Sequence, residues 1–237
     1  MSSHIEPSRT IQRIIMHNST LKIPTLSWMV IGLLALLTLI PGCNVITPVA
    51  YAIHGPQKID PVYSLTEELK TVVFVDDPSS RVTQRRLRYS IADRATKELL
   101  AKRILIDMLD PRGILTAASS ERYGELSSIA DLGKSVGADI VIYAVVTEFS
   151  LTPETGSYIP QAMLRVKIID VATGERLWPD DEMGLVANIQ MPQRAGAAAE
   201  RSGDRIQTEQ ELAQRAGLGL AQLFYKHEIT ETVLFGR

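Results

Sequence analysis

Hydrophobic residues change their spacing several times along the chain, and each change marks an element. Thr71–Asp76 is a short β-branched and apolar run stopped by Asp76-Asp77-Pro78, as expected of a buried strand ended by turn chemistry. A helix is expected from about Ser79 or Ser80 to Ile106, with Leu87, Ile91, Ala95 and Leu99 on one face at i, i+4 spacing. After Arg112-Gly113, Ile114–Ala118 reads as a weaker strand. Ser128-Ile129-Ala130-Asp131 has the capping-box pattern of a second helix, which ends near Gly137. Asp139–Phe149 is nearly continuously apolar, the mark of a central strand covered on both faces.

In Met163–Val171, Leu164, Val166 and Ile168 alternate with Arg165 and Lys167, so that strand has one wet face. Ala172-Thr173-Gly174-Glu175 makes a hairpin turn into Arg176–Trp178, and Gly184–Met191 supplies a further strand. Residues 193–206 lack periodicity and read as a loop. Thr208-x-x-Glu211 offers a capping box for a last helix, whose apolar face is Leu212, Ala216, Leu220, Leu223 and Phe224 and which ends near His227. The expected fold class is α/β: a mixed β-sheet of about five strands packed with three main helices.

The amino-terminal part follows different rules. Trp28–Ile40 (WMVIGLLALLTLI) is uncharged and apolar, follows a basic segment containing Arg9, Arg13 and Lys22, and runs into Pro41, Gly42 and Cys43. That is the three-part pattern of a secretory signal. Its about 13 residues fall short of the roughly 20 that a membrane-spanning helix needs, so cleavage is the expected fate. Translation from Met16 instead of Met1 would give the leader ordinary proportions. Between Asn44 and Glu68, Pro48, Pro56 and Pro61 break any periodicity, as in an irregular tether. The expected organisation is a signal peptide over 1–42, a lipidated tether over 43–70 and a soluble domain over 71–237.

Ile40-Pro41-Gly42-Cys43 resembles the lipobox of bacterial lipoproteins. The resemblance implies a diacylglycerol thioether on the Cys43 sulfur, peptidase cleavage before it and acylation of the new amino terminus. Two or three chains anchor stably where one binds reversibly. Asn44 stands where an aspartate would signal inner-membrane retention. The implied location is therefore the bacterial cell envelope, at the outer membrane facing the periplasm.

A second resemblance rests on Ile129 to Asp139 with the strand after it, and on Asp170-Val171-Ala172-Thr173-Gly174-Glu175-Arg176-Leu177-Trp178. These segments look like the envelope superfamily that includes the curli secretion channel protein, the penicillin-binding-protein activator lipoprotein B and the amino-terminal domain of the TolB translocation protein. It covers roughly residues 71–227. Gly137 as a helix end and Trp178 as core filling explain the same residues structurally. Neither Ser150–Gln161 nor Gln193–Arg205 supplies the alternating strands of a membrane barrel, so a pore of the curli type is not expected.

Composition narrows the chemistry. A net charge of −2 over 237 residues argues against nucleic acid as the partner. Cys43 is the single cysteine, and of four histidines only His54 and His227 follow it, which leaves no cysteine or histidine set for a metal. Asp76 and Asp77 at a strand end, with Glu148 near another, could form a carboxylate site; a helix cap and a solvated strand end explain them more simply. Arg85, Arg86 and Arg88 form a basic stretch where an anionic partner could dock, though solvent-facing charge is the commoner explanation. Gly217-Leu218-Gly219 lies inside a helix, so it suits close packing and not a nucleotide loop.

The expected function is a membrane-anchored, non-enzymatic binding or assembly accessory in envelope assembly, secretion or cell-wall synthase regulation. No catalytic residue, metal or cofactor is expected beyond the lipid on Cys43. The partners are the membrane and an envelope protein, with self-association left open. The alternative is a carboxylate-based enzyme or small-ligand binder at Asp76, Asp77 and Glu148.

Overall fold

A computed structural model of the chain describes residues 58–120, 127–152, 159–191, 202–228 and 233–235. The leader with Trp28–Ile40, Cys43, His54, the tether up to residue 57 and residues 193–201 lie outside the described residues. In chain order the elements are β1 (Lys58–Ile59), β2 (Thr71–Asp76), α1 (Arg85–Ala101), α2 (Pro111–Ser120), α3 (Ile129–Val136), β3 (Ile140–Ser150), β4 (Gln161–Asp170), β5 (Arg176–Trp178), β6 (Leu185–Gln190), α4 (Ser202–Gln222), β7 (His227–Glu228) and β8 (Val233–Phe235).

The main sheet is mixed, in the order β2-β3-β4-β6-β8, with β5 also paired to β4. β2 and β3 are parallel, from Thr71 opposite Ile140 to Asp76 opposite Val145, and the crossover between them carries α1 to α3. β4 returns antiparallel to β3, with a bulge between Val146 and Glu148, and β6 pairs antiparallel on its other side. β1 and β7 form a separate two-stranded ribbon. The structure thus has the mixed α/β architecture that the pattern implies.

Strand burial follows the side-chain period of two. On one face Val73, Val75, Ile142, Leu164, Val166, Ile168 and Ile189 meet Leu87, Ile91 and Leu99 of α1 and Leu212, Ala216 and Leu220 of α4. On the other, Val72, Phe74 and Val141 meet Ile114 of α2 and Leu132 of α3. Helices on both faces explain why Val72–Val75 of β2 and Ile140–Val146 of β3 are almost wholly apolar. β4 alternates instead, with Ala162, Leu164, Val166 and Ile168 buried and Met163, Arg165 and Lys167 partly exposed.

Several elements differ from the sequence expectation. Ile114–Ala118 is helical, within α2, because Pro111 opens that helix and the Asp110 carboxylate accepts from Arg112 N at 2.8 Å. Proline at the first helical position costs no hydrogen bond, and the apolar side of the segment covers β2. α1 starts at Arg85, since the Asp77 carboxylate takes the amides of Arg81 and Val82 at 2.7 and 2.8 Å and Ser80 adopts φ 51°. It ends at Ala101, where Lys102 caps it and Arg103 turns to φ 56°. α4 already begins at Ser202, so Thr208 lies inside it and its hydroxyl donates to Asp204 O at 2.7 Å instead of capping. α4 stops at Gln222, and His227 belongs to β7.

The expected start and end of α3 hold. Ser128 Oγ accepts from Asp131 N at 3.1 Å, the Asp131 carboxylate accepts from Ser128 N, and Gly137 closes the helix at φ 78°. Ser128→Ala should lower stability by about 1 kcal/mol, measured by urea unfolding; an unchanged midpoint would contradict the capping role.

Residues 58–70, read as the end of a proline-broken tether, pack on the domain. Val62 N donates to Leu223 O at 2.8 Å, Lys226 pairs with Asp60 at 2.8 Å, and the Tyr63 ring lies 6.0 Å from that of Trp178. Tyr63, Leu65 and Leu69 join the larger core. Among the described residues no helix is long and apolar enough to cross a membrane.

Candidate functional site

α1 and α4 lie side by side and run the same way. Gln210 Nε2 donates to Ser90 Oγ at 2.9 Å, and further along both helices Tyr225 Oη, just after α4, donates to Glu98 Oε1 in the last turn of α1 at 3.1 Å. Midway, Gly217 faces Ile91 O and Arg94 Cβ so closely that a side chain there would collide with α1. The glycine therefore serves close helix packing, as its context implies. This parallel arrangement brings both helix starts to the edge where β2 and β3 end.

That edge is polar and indented. Four clefts of about 260, 400, 570 and 670 Å³ each border the segment Ser80–Arg86. The 400 Å³ cleft brings together Asp76, Asp77, Arg85 and Arg88 with the hydroxyls of Ser80, Thr83 and Ser119. Glu148 lines a different cleft, with Ser80, Arg81 and Phe149. Arg86 points to a third, between the two helices, beside Ile206 and Gln210.

The two aspartates are committed to local bonds. Asp76 accepts from Tyr143 Oη at 3.0 Å and from Asp77 N at 2.8 Å, and it faces the Arg88 guanidinium at 3.6 Å. Arg88 is held in turn by donating Nε to Val75 O at 3.0 Å. Burial, reinforced by the negative Asp76 beside it, pushes the Tyr143 hydroxyl well above its ordinary value. Asp77 holds the turn to α1 through the Arg81 and Val82 amides. The structure thus assigns Asp76 to an ion pair and Asp77 to the turn that precedes α1, not to a helix cap, and sets Glu148 in a separate cleft. Among the described residues no three His, Asp or Glu side chains gather as a metal site.

A carboxylate that the sequence reading passed over is Glu209. It is 4% exposed and accepts from Thr83 Oγ1 at 3.0 Å and Arg205 Nε at 3.2 Å, tying the turn before α1 to α4. Its signal is positional: Glu209 lies three and four residues before Leu212 and Ala213, on the buried stripe of α4.

No protein-family model and no curated protein matches the sequence. Among solved structures, the PelC dodecamer from Paraburkholderia phytofirmans is similar at a TM-score of 0.41 and 14% identity, covering 71% of this chain and 96% of that one. The lipoprotein GNA1162 from Neisseria meningitidis gives 0.37 and 13%, covering 63% and 97%. The hypothetical protein CT253 from Chlamydia trachomatis gives 0.39 and 11%, covering 67% and 94%. At these scores the likenesses carry no argument about function, which has to come from the residues of this chain.

Proposed function

We propose that the chain is an envelope lipoprotein, exported, cut before Cys43 and anchored by lipid on that cysteine, whose α/β domain serves as a non-enzymatic binding or assembly accessory. The observation that carries this reading is Ile40-Pro41-Gly42-Cys43 at the end of the apolar run Trp28–Ile40. Asn44 favours delivery to the outer membrane, facing the periplasm.

Geometry adds support. The 15 residues from Cys43 to Lys58, fully stretched, reach at most roughly 50 Å, so the anchored domain stays close to the bilayer. β1, where the described chain begins, pairs with β7 just beyond the end of α4. The clefted edge lies at the other end of the helices, about 25 Å away for a helix of 17 residues. β1 thus lies at one end of the helix pair and the clefts at the other. The internal bonds of Asp76 and Asp77 favour binding over carboxylate catalysis.

The test is detergent phase partitioning of the full-length protein expressed in a bacterium, beside Cys43→Ala. The parent chain should enter the detergent phase and the variant should lose that behaviour. Equal partitioning of both would contradict a lipid anchor at Cys43.

A further inference from the structure

Charge on the clefted edge is unevenly matched. Arg81, Arg85 and Arg86 are exposed, and among the described residues none of their guanidinium groups is hydrogen-bonded or ion-paired. The nearby acids are taken: Asp76 by Tyr143 and Arg88, Asp77 by backbone amides, Glu209 by Thr83 and Arg205, and Glu211, which lines the cleft of Arg86, by Arg215. Glu148 borders the cleft of Arg81 without pairing to it. Arg85 and Arg86 also stand at the start of α1, with Arg81 in the turn before it, and the first turn of α1 contains no acid while its cap residue, Gln84, makes no side-chain cap bond. Positive side chains at a helix start oppose the helix dipole, so an anionic group brought there relieves repulsion as well as gaining hydrogen bonds. Each arginine borders a different cleft, so the positive charge is spread along a surface with room for side chains between the guanidinium groups.

We propose that the unpaired arginines Arg81, Arg85 and Arg86 form a docking edge for an acidic segment of a partner protein, its carboxylates meeting the guanidinium forks and its intervening side chains entering the clefts. This rests on the reading of the domain as a protein-binding module and names the surface and the partner's chemistry. An extended acidic segment fits better than an anionic lipid surface, because the edge is indented, not flat, with clefts between the guanidinium groups. Long-range attraction by such a patch speeds encounter and is weakened by salt.

The test uses the full-length protein in nonionic detergent micelles and a fluorescent glutamate-rich peptide as probe, read by anisotropy at low and at physiological ionic strength. The charge-matched control is a triple Lys58→Gln, Lys70→Gln, Lys134→Gln variant, which removes exposed lysines away from the edge. Saturable, salt-sensitive binding is expected, weakened at least about tenfold in the triple Arg81→Gln, Arg85→Gln, Arg86→Gln variant and by less than about twofold in the control. Equal weakening in both variants, or no saturable binding by the parent chain, would overturn the proposal. Arginine-dependent binding to phosphatidylglycerol vesicles without peptide binding would also overturn it, in favour of a lipid-facing edge. The mass of the lipidated protein is read in the same preparation, so a lipidated chain that ignores the peptide refutes the docking edge and leaves the tether standing.

Discussion

Replacing Gly217 with leucine should lower the stability of the domain by about 3 kcal/mol, enough to reduce the melting temperature by roughly 6–12 °C for a domain of this size. Even a single added carbon would meet Ile91 O and lie 2.7 Å from Arg94 Cβ, and the first of these is backbone that cannot rotate away. α1 and α4 would have to separate along the contact that buries Ile91, Ala95, Leu212 and Ala216. The gain in intrinsic helix propensity on losing a glycine, about 1 kcal/mol, offsets part of the cost and does not reverse it. Separation of the helices would also loosen the Thr83 and Glu209 hydrogen bond, so the clefted edge should change with stability. A thermal melt by circular dichroism checks the first effect. An unchanged or raised midpoint would mean that the helices do not depend on their close approach.

Alkaline conditions should weaken the fold steeply, through two tyrosines. Burial first, and then the neighbouring carboxylates Asp76 and Glu98, raise the hydroxyls of Tyr143 and Tyr225 above the ordinary value near 10. Below that value folded and unfolded chains both hold these protons, so the two tyrosines give stability no pH dependence. Above it the unfolded chain releases both while the folded chain retains them, so stability falls as pH rises. The slope reaches at most about 1.4 kcal/mol per pH unit for each tyrosine. Guanidinium unfolding at pH 9, 10 and 11 should show this loss, and a Tyr143→Phe, Tyr225→Phe double variant should show a flatter dependence even though it begins less stable. The same slope in the double variant would place the alkaline sensitivity elsewhere.

Much of the fold is legible in the sequence where a local signal and the tertiary environment agree. The alternation in β4, the nearly continuous apolar run of β3 and the reciprocal Ser128 and Asp131 bonds are all read from spacing alone. Gly174, at φ 75° in the hairpin turn, is another such position. Legibility fails where the environment decides. Ile114–Ala118 contains β-branched residues, yet Asp110 and Pro111 start a helix that covers Val72 and Phe74. Pro61, and Pro56 just ahead of it, disguise a segment whose Tyr63 and Leu65 are core contacts.

The candidate site was legible only as residue types. Asp76 and Asp77 stand at a strand end, as expected, but Tyr143 lies 67 positions from Asp76 and is brought to it only by the parallel pairing of β2 with β3. The arginines at the start of α1 read as ordinary solvent-facing charge until the parallel course of α4 builds clefts around them. Glu209 is hidden for the opposite reason: it looks like an exposed helix residue until Thr83 closes over it.

The most direct test of the central claim, a lipid-tethered binding domain, is the intact mass of the full-length gene product recovered from bacterial membranes. A species that begins at Cys43 and carries the added mass of a diacylglycerol and an amide-linked acyl chain, absent from Cys43→Ala, is the expected result. A chain that keeps its leader, or one with an unmodified Cys43, would contradict the tether and with it the placement of this domain in the envelope.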